Sequence, residues 1–342
     1  MGEKNYCDRL KLNLLFCATC FVENSMIIRQ HFFITLLFLK LILASNAIAV
    51  DISEPSKAMG DSNGTLDYAD ALIYGLVEGV TEFLPISSTG HLVVVSEFLS
   101  STNRESEEAL NAYLIVIQAG AILAVALLYR KQVWSMILGL LGLDPRGKRL
   151  AFHILVAFMP AAILGPLLDD KIEEFLFGLL PIAIALFLGA LLMHWAERRK
   201  KSQDSGIIME QGRTLEDLTF SQSLLIGFMQ CFAMWPGTSR SMMTIVGGYI
   251  VGLQRKKAAE FSFLLGLVTL SAAAGYKILT KWDVMEANLS LGPIAFGCMI
   301  AGISAALSVF WLVGYLSRKG LGIFVWYRII LSLVLFTIYF AS

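Results

Sequence analysis

The sequence predicts an all-α integral membrane protein with about six transmembrane helices, plus two re-entrant helical hairpins arranged as an inverted repeat. Three observations carry that prediction. Of the 342 residues, 56% are hydrophobic and only 16% charged, against roughly 25% charged in an ordinary soluble domain. Uncharged windows at Leu110–Tyr129, Leu150–Leu168, Phe175–Trp195 and Ala287–Ser317 reach or approach the roughly 20 residues that cross a hydrocarbon core. Two further apolar stretches, 68–100 and 218–253, must enter and leave on the same side once the charged loops have been assigned.

From the N-terminus, residues 1–49 read as a signal peptide or signal segment. Met26–His31 supplies a basic start, Phe32–Leu43 an apolar core broken by Lys40, and Ala47–Ile48–Ala49 a small-x-small cleavage signal. Residues 1–25 precede it as an upstream extension. A polar linker follows over 50–67, and a polytopic membrane domain occupies 68–342. Cys17-x-x-Cys20 stands alone, with no second pair or histidines at metal spacing, which argues against a zinc or redox role.

Basic clusters mark inner loops under the positive-inside rule: Arg130–Lys131, Arg146–Arg149, Arg198–Lys201, Arg255–Lys257 and Arg318–Lys319. The acidic clusters Arg104–Glu108 and Asp169–Glu174 then face outside. Spans over 110–129, 150–168, 175–195, 258–279, 291–316 and 321–341 satisfy this, with the short apolar piece 133–143 held at the inner face. The formal net charge is zero and the basic residues sit at segment ends, which sets topology and gives no sign of nucleic-acid binding.

That thread makes 68–100 start and end outside, and 218–253 start and end inside. The two also resemble each other. Gly75–Glu78 is echoed by Gly227–Gln230, and Pro85 with Ser87–Thr89 by Pro236 with Thr238–Ser241. Opposite entry and matching breaks suggest an inverted repeat whose broken helices meet near the midplane, although apolar, Gly-rich segments also resemble one another by chance.

A charge at the centre of a membrane helix costs roughly 2.5–3.5 kcal/mol, so Glu78, Glu82 and Arg240 need a reason. Glu78 and Glu82 are one turn apart on one helix face. They repel unless one is protonated or a cation lies between them, and paired carboxylate oxygens suit Mg²⁺ or Ca²⁺; a neutral hydrogen-bonded core carboxylate is the plainer alternative. Pro85 ends that helix, and Ser87–Ser88–Thr89 follows as a hydroxyl-rich turn with His91 three residues beyond Ser88, near enough to activate a serine. Gly237 and the hydroxyls of Ser239 and Ser241 form a second turn, and Arg240 is a bidentate clamp for phosphate oxygens. His153 and His194 read as core histidines. Together these groups point to a phosphate substrate, and a diphosphate above all.

Glu-Gly-x-Thr-Glu-Phe-Leu-Pro-x-Ser-Ser-Thr-Gly-His (78–91) and Pro-Gly-x-Ser-Arg-Ser (236–241) resemble the bacterial undecaprenyl-diphosphate phosphatase family, also called the bacitracin-resistance proteins. Ile117–Val125 and Ala258–Leu265 match as well, so the resemblance covers about 68–342. It implies a multi-pass enzyme of the bacterial cytoplasmic membrane that removes the terminal phosphate of C55 undecaprenyl diphosphate. This recycles the lipid carrier for cell-wall synthesis, at a site open to the outer face and dependent on Mg²⁺ or Ca²⁺. A homodimer is compatible with it.

Carried over by position, Glu78 and Glu82 would hold the metal. Ser88, His91, Glu82 and Arg240 would be catalytic, and Ser87, Thr89, Gly237, Ser239, Arg240 and Ser241 would bind the diphosphate. Ser88 as nucleophile with His91 as base or acid, and His91 itself attacking phosphorus, both stay open. Met242, where the family commonly has glycine, and Leu267–Val268, where proline is usual, bear on local backbone shape. The main rival is a polyprenyl-phosphate transporter or flippase on the same inverted-repeat fold. An intramembrane serine protease has no use for the Glu pair and arginine, and type-2 phosphatidic acid phosphatases need a histidine after Arg240, which this chain lacks.

Overall fold

The computed structural model describes residues 67–100, 107–206, 214–280 and 291–341. The expected signal segment with Cys17 and Cys20, the linker up to residue 66, and Arg104–Ser106 lie outside the described residues. Among the described residues there is no strand. In chain order the helices are α1 (Tyr68–Thr81), α2 (Ser88–Ser100), α3 (Glu107–Leu128), α4 (Arg130–Leu140), α5 (Pro145–Leu176), α6 (Leu179–Gly206), α7 (Phe220–Cys231), α8 (Arg240–Ile250), α9 (Arg255–Thr280), α10 (Leu291–Lys319) and α11 (Gly322–Ala341).

Five helices, α5, α6, α9, α10 and α11, are long and apolar enough to cross a membrane, and α3 with α4 makes a sixth if that pair, bent by 84°, is one span. All six expected spans are therefore helical. The charge clusters expected as loops are helical: Arg130–Lys131, Arg146–Arg149, Arg255–Lys257 and Arg318–Lys319 sit in end turns of α4, α5, α9 and α10, and two more lie further inside helices. Asp169–Glu174 continues α5 and Arg198–Lys201 continues α6, because charged helix ends leave the apolar layer without breaking their backbone hydrogen bonds, and Glu, Lys and Arg are good helix formers. Asp144 caps α5 through the Arg146 N–H at 2.9 Å. The hydroxyl that Ser135 donates to Asp144 holds this carboxyl below its ordinary range, with help from backbone N–H groups of α5.

The two leftover stretches fold as hairpins. Leu92, Val95 and Leu99 of α2 share a cluster with Ala71, Ile73, Tyr74 and Val77 of α1, so α2 runs back along α1. In the second, the Gln222 amide near the start of α7 donates to the Val251 carbonyl just past α8 at 3.5 Å. Each arm is too short to span alone, since 14 residues rise only about 21 Å. Packing partners pair off: α10 lies on α1 and α3, while α5 lies on α7 and α9.

Away from the hairpin breaks, Glu197 of α6 gathers three segments. It accepts from Arg255 Nη2 at the start of α9 (2.9 Å) and from the Leu321 N–H in the α10–α11 turn (3.0 Å). Gly320 turns with φ of +73°, and a Cβ there would collide with the Glu197 carboxylate, so only glycine lets the turn approach so closely.

Candidate active site

The two hairpin breaks meet. Glu78 is in the last turn of α1, and Glu82 caps that helix with its N–H on the Glu78 carbonyl at 2.9 Å; both are buried. The break runs on through Phe83–Pro85 to Ser87. From the other hairpin, Ser241 Oγ donates to the Leu84 carbonyl at 2.8 Å, and Ser239 and Ser241 share a hydrogen bond of 3.0 Å. The Leu84 carbonyl, which also accepts from the Ile86 N–H at 2.8 Å, thus ties the second hairpin to the break of the first.

Glu82 joins the halves chemically. Ser88 Oγ donates to its Oε2 at 2.6 Å, and Arg240 Nη2 donates to its Oε1 at 2.9 Å. Arg240 also gives Nη1 to the Ser262 carbonyl at 3.1 Å, and its guanidinium lies 5.4 Å from the centre of the Phe83 ring. A Cβ at Gly266 would land on that guanidinium, so glycine makes its room. Two polar atoms remain unmatched here: Glu78 Oε1 and Arg240 Nε are buried without a hydrogen-bond partner.

His91 is brought to the same break, but its bonds run elsewhere. Nδ1 faces the Ser87 carbonyl at 2.6 Å and Nε2 faces the Tyr327 hydroxyl at 2.6 Å, with the Tyr327 ring stacked at 5.6 Å between centroids. A carbonyl only accepts, so this assigns the proton to Nδ1 and makes Nε2 the acceptor from Tyr327. The hydroxyl hydrogen bond of Ser88 therefore goes to Glu82 and not to the imidazole expected from the Ser/His spacing. Thr89 is half-buried in the first turn of α2.

Gly237 is buried in its turn, with φ of +96° and its carbonyl held by Arg328 Nη2 at 2.9 Å. Ser87 and Ser239 each precede a helix with positive φ, 76° and 73°, strained values for residues with a Cβ. Each caps the N–H three residues on, Gly90 and Met242, both at 3.3 Å.

Glu78 and Glu82 offer hard oxygen donors, one of them unmatched, which fits a divalent cation. Among the described residues no group of three or more His, Cys, Asp or Glu gathers as a metal site, so substrate oxygens or hydroxyls would complete the shell. Sequence spacing missed Ser262, Tyr327 and Arg328. Arg328 left a signal, a lone charge inside an apolar window; Tyr327 left none.

The model of the family described as Bacitracin resistance protein BacA matches residues 71–334. Undecaprenyl-diphosphatase 2 of Rhodospirillum rubrum is 42% identical over 264 residues, 77% of this chain and 92% of that protein. Undecaprenyl-diphosphatase of Ectopseudomonas mendocina is 42% identical over 265 residues, covering 78% and 91%. Undecaprenyl-diphosphatase 3 of Acinetobacter baylyi is 41% identical over 275 residues, covering 80% and 98%.

Proposed function

The chain belongs to the bacitracin resistance protein BacA family, and from that premise we propose that it hydrolyses the terminal phosphate of undecaprenyl diphosphate within the membrane. The products are undecaprenyl phosphate and inorganic phosphate, and the activity serves lipid-carrier recycling and bacitracin resistance. The observation that carries the catalytic reading is the chain of bonds Ser88–Glu82–Arg240, which links a hydroxyl, a carboxylate and a guanidinium across the two hairpins.

Ser88 Oγ attacks the terminal phosphorus and its proton passes to Glu82, the group it already bonds. The bond from phosphorus to the bridging oxygen breaks, and that oxygen leaves on undecaprenyl phosphate. Water then attacks the phosphoserine: the bond from phosphorus to Ser88 Oγ breaks, Oγ takes back the proton held by Glu82, and the proton lost by water leaves with the inorganic phosphate. Arg240 neutralises the transferring phosphoryl group, and its unmatched Nε is a further donor. We assign His91 to holding the hydroxyl turn that presents Ser88, through the Ser87 carbonyl at Nδ1 and the Tyr327 hydroxyl at Nε2. Ser88 is preferred over His91 as nucleophile because both imidazole nitrogens are already engaged. Ser87, Thr89, Gly237, Ser239 and Ser241 shape the turns around the diphosphate. Glu78 and Glu82 would hold Mg²⁺ or Ca²⁺, which would supply charge to offset that of the diphosphate. The matched packing of α10 and α5 on the two hairpins supports the inverted-repeat reading. The site is assigned to the outer face of the bacterial inner membrane.

Phosphate release from undecaprenyl diphosphate by the full chain in detergent tests this reading. Wild type turns over and Ser88→Ala, Glu82→Ala and Arg240→Ala do not, although each still inserts. Near-normal turnover in any of the three overturns the site assignment.

A further inference from the structure

Arg328 is the largest fully buried side chain among the described residues. It lies inside an apolar helix, where an arginine costs several kcal/mol, and no carboxylate pairs with it among the described residues. Its fork donates instead to three carbonyls: Ala185 at 3.1 Å and Leu186 at 3.3 Å on α6, and Gly237 at 2.9 Å in the break of the second hairpin. The preceding residue, Tyr327, bonds and stacks on His91 of the first hairpin. Two adjacent residues of α11 thus reach both breaks.

We propose that Tyr327 and Arg328 are positioning residues that align the two half-sites from one helix, Tyr327 by fixing the tautomer and aim of His91, and Arg328 by fixing the Gly237 turn that carries Ser239 and Arg240. This rests on the phosphatase reading above. The Tyr327 hydroxyl donates to Nε2 while Nδ1–H is given to the Ser87 carbonyl, so the ring is held at both nitrogens. The planar fork of Arg328 bridges α6 and the turn at once, which a lysine ammonium on a flexible stem does not reproduce. Gly189 lets the guanidinium in, since a Cβ there would land on Nη2.

Two measurements on the full chain in detergent test this. With ¹⁵N-histidine labelling, and His91 assigned by its loss in His91→Ala, wild type shows a neutral Nδ1–H imidazole. In Tyr327→Phe, which keeps the ring, the Nε2 signal moves; an unmoved signal overturns the role of Tyr327. Labelling with ¹³C′-glycine and ¹⁵N-threonine isolates only the Gly64–Thr65 and Gly237–Thr238 pairs of this sequence. The Gly237 signal moves in Arg328→Lys, or in Gly189→Ala if the lysine variant does not fold, and an unmoved signal overturns the role of Arg328.

Kinetically, Tyr327→Phe lowers kcat on the order of tenfold and Arg328→Lys on the order of a hundredfold, each with KM changed less than twofold. A loss confined to KM overturns positioning. Wild type that releases no phosphate refutes the phosphatase reading alone, because the two spectroscopic outcomes still decide the positioning.

Discussion

The two hairpins use one backbone device to present opposite chemistry. In each, a proline-containing break ends on a serine in the left-handed region, Ser87 or Ser239, whose hydroxyl caps the N–H three residues into the next helix. From there they diverge. The first carries Glu78, Glu82, Ser88 and His91; the second carries Arg240, and has Gln230 at the position of Glu78. Gln230 is as buried as its counterpart and accepts from Thr269 at 3.3 Å. One half therefore holds negative charge and the proposed nucleophile and the other holds the arginine, so neither half is the proposed site until the breaks meet at Glu82.

Breaking that meeting point has the largest expected effect. Glu82→Gln keeps the shape but withdraws the proton acceptor of Ser88 and the ion-pair partner of Arg240, and phosphate release falls by about 10³-fold or more. Chelation of divalent cations with EDTA is expected to cost on the order of a hundredfold, restored by Mg²⁺ or Ca²⁺. If activity survives thorough chelation, Glu78 and Glu82 are not metal ligands. Gly266→Ala pushes only the second half, through the Arg240 guanidinium, and lowers kcat/KM about tenfold with little change in expression. The smallest effects test the shared device. Ser87→Ala and Ser239→Ala lose a cap yet keep the strain, each costing about 1–2 kcal/mol by thermal unfolding in detergent. Ser→Gly at either position relieves the strain and changes stability by less than about 1 kcal/mol. Unequal responses at 87 and 239 would show that the two breaks only look alike.

Much of this was legible along the chain. Charge placement outlined the spans, and the same motif in both leftover stretches marked the breaks, because a polar cluster inside an apolar run has few structural excuses. Loop boundaries at Asp169–Glu174 and Arg198–Lys201 were misread because charge reports where the apolar layer ends and not where a helix does. The partner of Ser88 was obscured for a different reason: Glu82 and His91 are both within reach by spacing, and only the fold of the break decides between them. Tyr327, 236 residues from His91, is joined to the site by tertiary packing alone.

Glu197 is remote in the sequence from every reacting group, yet it holds the N–H of Leu321, at the foot of α11. Tyr327 and Arg328 follow within two turns. A helix pinned in this way cannot spin freely about its own axis. At the roughly 5–6 Å radius of a helix with its side chains, a spin of about 30° would sweep the tips through about 3 Å, enough to part them from both breaks. The carboxylate of Glu197 thus acts as a stop on a crank, and the rotational setting of one helix reaches the reaction through it.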